Sequence, residues 1–159
     1  MGNCSSSMQL TRAADYAVRV TIHLATLPEG QRASLPSLSE ATGAPSSFLS
    51  KVLQALTRAD IVSSRRGQQG GFEILDRGRH ASLREVIEAI DGPIYLNVCM
   101  VSGRSCNRKS YCPAHPVWKK AQTAMLEVLN MAIVAELAAQ AAAPALDIPA
   151  SVSTLLGNN

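Results

Sequence analysis

The sequence predicts a mainly α fold carrying a small β-hairpin wing: a winged helix-turn-helix followed by a long C-terminal dimerisation helix. Three observations carry this. Two short helical patterns, residues 34–43 and 46–62, meet at a tight turn containing Gly43, the layout of a helix-turn-helix. A strand–glycine–strand pattern, IVSSRRGQQGGFEIL, follows directly at 61–75. A long apolar stripe then runs from 116 to about 140.

The 159 residues are 47% hydrophobic but only 4% aromatic. That suits one domain, with a core built from Leu, Ile, Val and Ala. The net charge of +3 permits a polyanionic partner without demanding one. No apolar run reaches the ~18–20 residues of a membrane span. No basic-then-apolar secretory signal opens the chain, so a cytoplasmic protein is expected. The first seven residues, MGNCSSS, loosely match a myristoylation pattern with Cys4 as a palmitoyl site. The simpler reading is a disordered leader over 1–7, with Met8 a second start.

Residues 10–27 place Ala14, Ala17, Val18, Ile22 and Ala25 at helical spacing. Thr11 is the expected N-cap, and Pro28-Glu29-Gly30 the stop. The 34–43 helix takes Ser37 as its candidate cap and Gly43 as its stop. After Ala44-Pro45, the 46–62 helix begins on capping serines. Phe48, Leu49, Val52, Leu53 and Leu56 form its apolar face, while Ser47, Ser50, Lys51, Gln54 and Arg58 fall largely opposite. The hairpin runs out over Ile61–Arg65 and back over Gly70–Leu75. Its tip, RRGQQGG, holds two arginines, two glutamines and no acid. Long donors on a glycine loop suit phosphate and groove contacts. Between residues 30 and 80 stand seven Lys and Arg (Arg32, Lys51, Arg58, Arg65, Arg66, Arg77, Arg79) and four acids (Glu40, Asp60, Glu73, Asp76). This local excess equals the charge of the whole chain.

Ser82 and Glu85 form a capping box that opens the helix 82–92, ended by Gly92-Pro93. From 116 to about 140, Val117, Ala121, Ala124, Leu126, Leu129, Ile133 and Leu137 make a stripe that wants a partner helix. A second copy of the chain is the simplest partner for a symmetric DNA reader. Residues 141–159 hold no Lys or Arg and two prolines, which reads as a flexible tail.

Between these helices lies CMVSGRSCNRKSYCPAH, with the spacing Cys99-x6-Cys106-x5-Cys112 and His115 three residues on. In a reducing compartment, clustered cysteines point to metal or redox chemistry. Structural zinc favours tighter knuckles. A disulfide leaves an odd thiol in the segment. Iron–sulfur ligation tolerates wider loops. Spacing favours iron–sulfur, with zinc and redox thiols still open. Arg104, Arg108, Lys109, Lys119 and Lys120 surround the thiols, with no acid between Gly92 and Leu126. Positive charge favours thiolates without choosing the metal.

The motifs MQLTRAADYAVR, SSFLSKVLQALTRADIV, SSRRGQQGGFEI and SLREVIEAIDGP, with the spaced cysteines, occur in unbroken order over residues 8–138. Together they resemble the Rrf-two family of bacterial winged-helix regulators, which includes IscR, NsrR and RirA. The resemblance implies a homodimer whose long C-terminal helix crosses to the partner. It implies a double-stranded DNA partner with a palindromic operator, met by Ser46, Ser47, Ser50 and Lys51 in the major groove. Arg66 matches a wing arginine that enters the minor groove, with Arg65, Gln68 and Gln69 beside it. An iron–sulfur cluster held by Cys99, Cys106 and Cys112 is also implied. His115 matches the fourth ligand of a 2Fe–2S branch. Asp15 matches that of a 4Fe–4S branch, where an aspartate from the other subunit completes the site. His115, and so 2Fe–2S over 4Fe–4S, is favoured because it shares the loop with the thiolates. The x6 spacing between Cys99 and Cys106 departs by one residue from the family's commoner x5.

The expected organisation is a leader (1–7), a winged helix-turn-helix DNA-binding domain (8–92), a cluster-binding loop (93–115), a dimerisation helix (116–140) and a tail (141–159). The expected function is a regulator sensing redox, nitric oxide or iron status through the cluster. The alternative is a metal-free thiol/disulfide sensor that also binds DNA. An enzyme is not expected: no phosphate-binding glycine loop follows a strand, and the chain has no CxxC and no nucleophile motif.

Overall fold

The structure, a computed structural model, describes residues 10–67, 70–101 and 111–143. Helix α1 (Arg12–Thr26) starts where expected, with the Thr11 hydroxyl accepting from Ala14 N–H at 3.2 Å. Its buried stripe, Ala14, Ala17, Val20, Thr21, Leu24 and Ala25, follows the helical period. Helix α2 (Leu35–Thr42) is capped by Ser34, not Ser37. Pro36 sets the first turn, and its fixed φ suits that position, so Ser37 lies inside the helix and donates its N–H to the Ser34 hydroxyl. Gly43 ends α2 at φ +68°, in the left-handed region.

Helix α3 (Ser46–Arg58) also departs from expectation at its start. Pro45 takes the N-cap position and no side chain caps the helix, so Ser46 and Ser47 are free of that duty and exposed. The helix ends at Arg58, four residues short of the expected boundary. Leu49, Val52, Leu53 and Leu56 are buried as predicted, but Phe48 is 39% exposed. It lies at the edge of that face, its ring 5.7 Å from Tyr16 in an edge-to-face contact.

Strands β1 (Val62–Arg65) and β2 (Gly71–Ile74) pair antiparallel, from Val62 opposite Ile74 to Arg65 opposite Gly71. Ala33 and Phe72 exchange backbone hydrogen bonds at 2.9 Å each, so the segment before α2 adds a short third edge. Gly71 makes this possible: its φ is +140°, and a Cβ there would lie 2.7 Å from the Ala33 oxygen.

A short helix α4 (Asp76–Arg79) leads to α5 (Leu83–Asp91), whose capping box forms as predicted: the Ser82 hydroxyl accepts from Glu85 N–H, and the Glu85 carboxylate from Ser82 N–H. A 3-10 turn (Val98–Met100) precedes α6 (His115–Met131) and α7 (Val134–Ala142). The expected single helix over 116–140 is therefore broken. Leu83 N–H donates to Ala132 O at 2.9 Å, and Val134 N–H to Ala81 O at 3.0 Å. Ile133 is drawn into an extended bridge with Ser82. Beyond the break, α7 returns to its own domain, burying Val134 and Ala138 in the core around α1.

That core is aliphatic. Leu24, Leu38, Leu49, Leu53, Leu56, Val86 and Val134 are among its fully buried members. At the α3–β1 junction Asp60 holds φ +56°, a conformation that costs an L side chain energy which glycine does not pay. Asp60→Gly is expected to raise stability by about 0.5–1 kcal/mol, read as a higher urea midpoint at unchanged m-value.

Candidate functional site

One face of the molecule gathers the polar side of α3 and the wing. Ser46, Ser47 and Lys51 are exposed on α3 and Ser50 is half-buried, held outward because Leu49, Val52, Leu53 and Leu56 anchor the opposite face. Arg65 and Arg66 are exposed at the end of β1. Gln68 and Gln69 lie outside the described residues.

The wing is fixed at its root. Arg32 pairs with Glu73 at 2.6 Å, both side chains at least three-quarters buried, and the Ser63 hydroxyl donates to the same Glu73 oxygen at 2.9 Å. Two further arginines serve helix ends. Arg79 donates to the carbonyls of Ala25 and Leu27 at the end of α1, and Arg77 to that of Ala59 after α3. Of the seven cations counted between residues 30 and 80, three are thus committed to the fold. The other four, Lys51, Arg58, Arg65 and Arg66, form no ion pair among the described residues.

A cleft of about 400 Å³ separates the polar face of α3 from the hairpin. Ser50, Gln54, Thr57 and Arg58 line it from α3, and Ser64, Arg65, Arg66 and Phe72 from the wing. Gln54, Thr57, Arg58 and Ser64 were not among the expected site residues. Gln54 and Arg58 were visible on the polar face of the helix; the role of Ser64 depends on how the hairpin folds against it.

The second constellation lies between α5 and α6. Cys99 sits in the 3-10 turn and Cys112 just before α6; both are free thiols, half-buried. His115 is the first residue of α6, and its N–H donates to Cys112 O at 3.1 Å. Its ring Nδ1 is buried with no hydrogen-bond partner among the described residues. The Gln122 amide ties this region to α6, accepting from Leu96 N–H and donating to Ile94 O, both at 2.7 Å. Cys106, like Arg104, Arg108 and Lys109, lies outside the described residues. Among those described, no three His, Cys, Asp or Glu side chains gather as a metal site. Asp15, in the first turn of α1, is paired with Arg19 at 2.8 Å.

Helix α6 buries none of its residues. Val117, Val128 and Met131 are 66%, 62% and 69% exposed and share one helical face. No helix among the described residues is long and apolar enough to cross a membrane.

A helix-turn-helix whose second helix presents a polar face beside a basic wing is the layout of DNA-binding transcription regulators. Comparison with known proteins specifies which kind. The family described as "Rrf2: Iron-dependent Transcriptional regulator" matches residues 10–140. The chain belongs to the Rrf2 family, a family of regulators and not of enzymes. It is 37% identical over 87 residues to MT1325 of Mycobacterium tuberculosis (strain CDC 1551 / Oshkosh), which bears the name of an HTH-type transcriptional regulator. That match covers 55% of this chain and 54% of the relative, so the chain spans about half the length of that protein. Among solved structures, CymR, the global cysteine regulator of B. subtilis, superposes with a TM-score of 0.67 at 21% identity, covering 83% of this chain and 97% of CymR. T. potens IscR superposes with a TM-score of 0.66 at 22% identity, covering 84% and 88%. These two establish the shared fold.

The wing root provides a test of this geometry. Glu73→Ala leaves Arg32 and Ser63 without their common acceptor and is expected to cost about 1–3 kcal/mol. Limited proteolysis should then cut the hairpin faster than in wild type.

Proposed function

We propose that this regulator works as a homodimer on a palindromic operator and senses redox, nitric oxide or iron status through an iron–sulfur cluster held by Cys99, Cys106, Cys112 and His115. The observation that carries the reading is the Nδ1 of His115, buried and without a hydrogen-bond partner among the described residues, on a residue whose backbone N–H bonds to Cys112 O. An unsatisfied buried nitrogen costs about 1–3 kcal/mol, and a metal bond is one way to satisfy it. The donor set fits: thiolates hold such clusters, and imidazoles replace thiolates in some. Asp15 engages Arg19 through both carboxylate oxygens. That supports His115 over Asp15, and 2Fe–2S over 4Fe–4S. Bound there, the cluster would supply one-electron redox chemistry. The chain's own part would be to present the four ligands from one segment, whose start Gln122 ties to α6 at Ile94 and Leu96.

On DNA, Ser46, Ser47, Ser50 and Lys51 face the major groove, and Arg65 and Arg66, with Gln68 and Gln69, the adjacent minor groove. The dimer face is α6 alone, 115–131, since α7 is spent on the core. The second reading, a metal-free thiol sensor, draws support from the free, half-buried thiols of Cys99 and Cys112.

Protein purified anaerobically is expected to be coloured and to hold iron and sulfide in equal amounts. His115→Ala should change the visible spectrum and Asp15→Ala should not. Iron-free protein whose DNA binding ignores Cys106→Ala overturns both readings; iron-free protein whose binding needs that thiol selects the second. For assembly, Val128→Glu is expected to convert a dimer to a monomer in sedimentation velocity. A wild type that sediments as a monomer removes the dimer from the proposal.

A further inference from the structure

We propose that the cleft between α3 and the wing seats one sugar–phosphate strand of duplex DNA, with Arg58 as an anchor that grips phosphate and reads no base. The inference rests on the DNA-binding face described above and adds to it where the backbone runs. A helix in the major groove and a wing in the neighbouring minor groove are separated by a single backbone strand. That strand has to pass between the two elements, and the cleft of about 400 Å³ is the space that separates them.

Its chemistry suits a phosphodiester. Arg58, Arg65 and Arg66 line it, with Ser64 and Gln54 as further donors and no carboxylate among the lining residues. The one acid of the hairpin strands is neutralised: Glu73 is closed onto Arg32 and Ser63. Arg58 is exposed and forms no ion pair among the described residues.

The position of Arg58 separates gripping from reading. It ends α3, twelve residues after Ser46, about 18 Å along the axis at 1.5 Å per residue. Recognition helices read bases mainly from their N-terminal part. A long cation at the far end, beside the wing, reaches backbone phosphates. The competing explanation is that Arg58 only complements the negative end of the α3 dipole, which would give it a role in stability and none in DNA binding.

The experiment measures the affinity of the full chain for a labelled mixed-sequence duplex across a salt series, with Arg58→Ala, Arg58→Lys, Lys51→Ala and Arg66→Ala. Removing one phosphate contact flattens the slope of log K against log salt by roughly one unit per bound chain. Arg58→Ala is expected to show that change, with Arg58→Lys restoring it. The variant's preference among duplex sequences should stay that of wild type. A slope unchanged in Arg58→Ala, while Lys51→Ala or Arg66→Ala flattens it, overturns the cleft proposal and leaves the DNA face standing. Slopes unchanged in all three alanine variants place the DNA face elsewhere, and the proposal falls with it. A slope flattened by Arg58→Ala but not restored by lysine, with a lowered melting temperature, assigns Arg58 to stability and overturns the anchor.

Discussion

The winged-helix core is hung on the buried stripe of α1. Val20 and Leu24 are fully enclosed, and Ala14 and Ala17 between them offer almost no side chain. Small residues let neighbouring helices approach the α1 backbone closely, and α2, α3, α5 and α7 all pack around it. With so few aromatics, the core gains stability from many aliphatic contacts, each fully buried Leu or Val contributing about 1.5–3 kcal/mol. The arrangement fixes α3 by its inner face, which is why the outer face can be spent on serines and cations. It also explains the fate of α7, whose Val134 and Ala138 fill the same core.

The cysteine segment joins this frame at defined points. Its start follows Gly92 at the end of α5, where Asp91 accepts from the Thr11 hydroxyl at 2.7 Å and from Thr11 N–H at 3.3 Å. A carboxylate is ill placed at its own helix C-terminus but well placed at the N-terminus of α1. Its end is the first turn of α6. From Thr11, α1 leads within a turn and a half to Tyr16, whose ring meets Phe48 near the start of α3. Asp91, just before the cysteine segment, and Phe48, near the start of α3, are thus joined through α1.

Features governed by near neighbours in the chain were legible in the sequence. Thr11 caps α1, Ser82 and Glu85 close a capping box, and the hairpin strands lie within a residue of their expected bounds. Each depends on residues a few positions apart. The break at Ala132–Ile133 was not legible, because its cause is pairing with Ala81–Leu83, some fifty residues upstream, and the apolar period runs through it unchanged. The caps of α2 and α3 were misplaced because prolines set both first turns: Pro36 leaves the cap to Ser34, and Pro45 occupies the cap of α3 itself. Cys99, Cys112 and His115 share one segment of the sequence, but among the described residues no three such side chains gather as a metal site. That the Nδ1 of His115 is buried without a partner among the described residues was not legible, since burial depends on the fold and not on the spacing.

Charge shows most clearly what folding adds to composition. Seven cations against four acids in the winged-helix region gave an excess with no location. Pairing Arg32 with Glu73 removes one charge of each sign and leaves that excess untouched. Arg79 directs its charge at carbonyls at the end of α1, and Arg77 donates to the carbonyl of Ala59 after α3 and pairs with Glu85 at 3.6 Å. Lys51, Arg58, Arg65 and Arg66 then remain, and three of these four line one cleft. Within residues 30–80 a modest excess therefore becomes a concentrated field, because the fold neutralises or occupies Arg32, Arg77 and Arg79. Field strength at a surface depends on such placement more than on the total, so a chain of only +3 can present a strongly basic face to a polyanion.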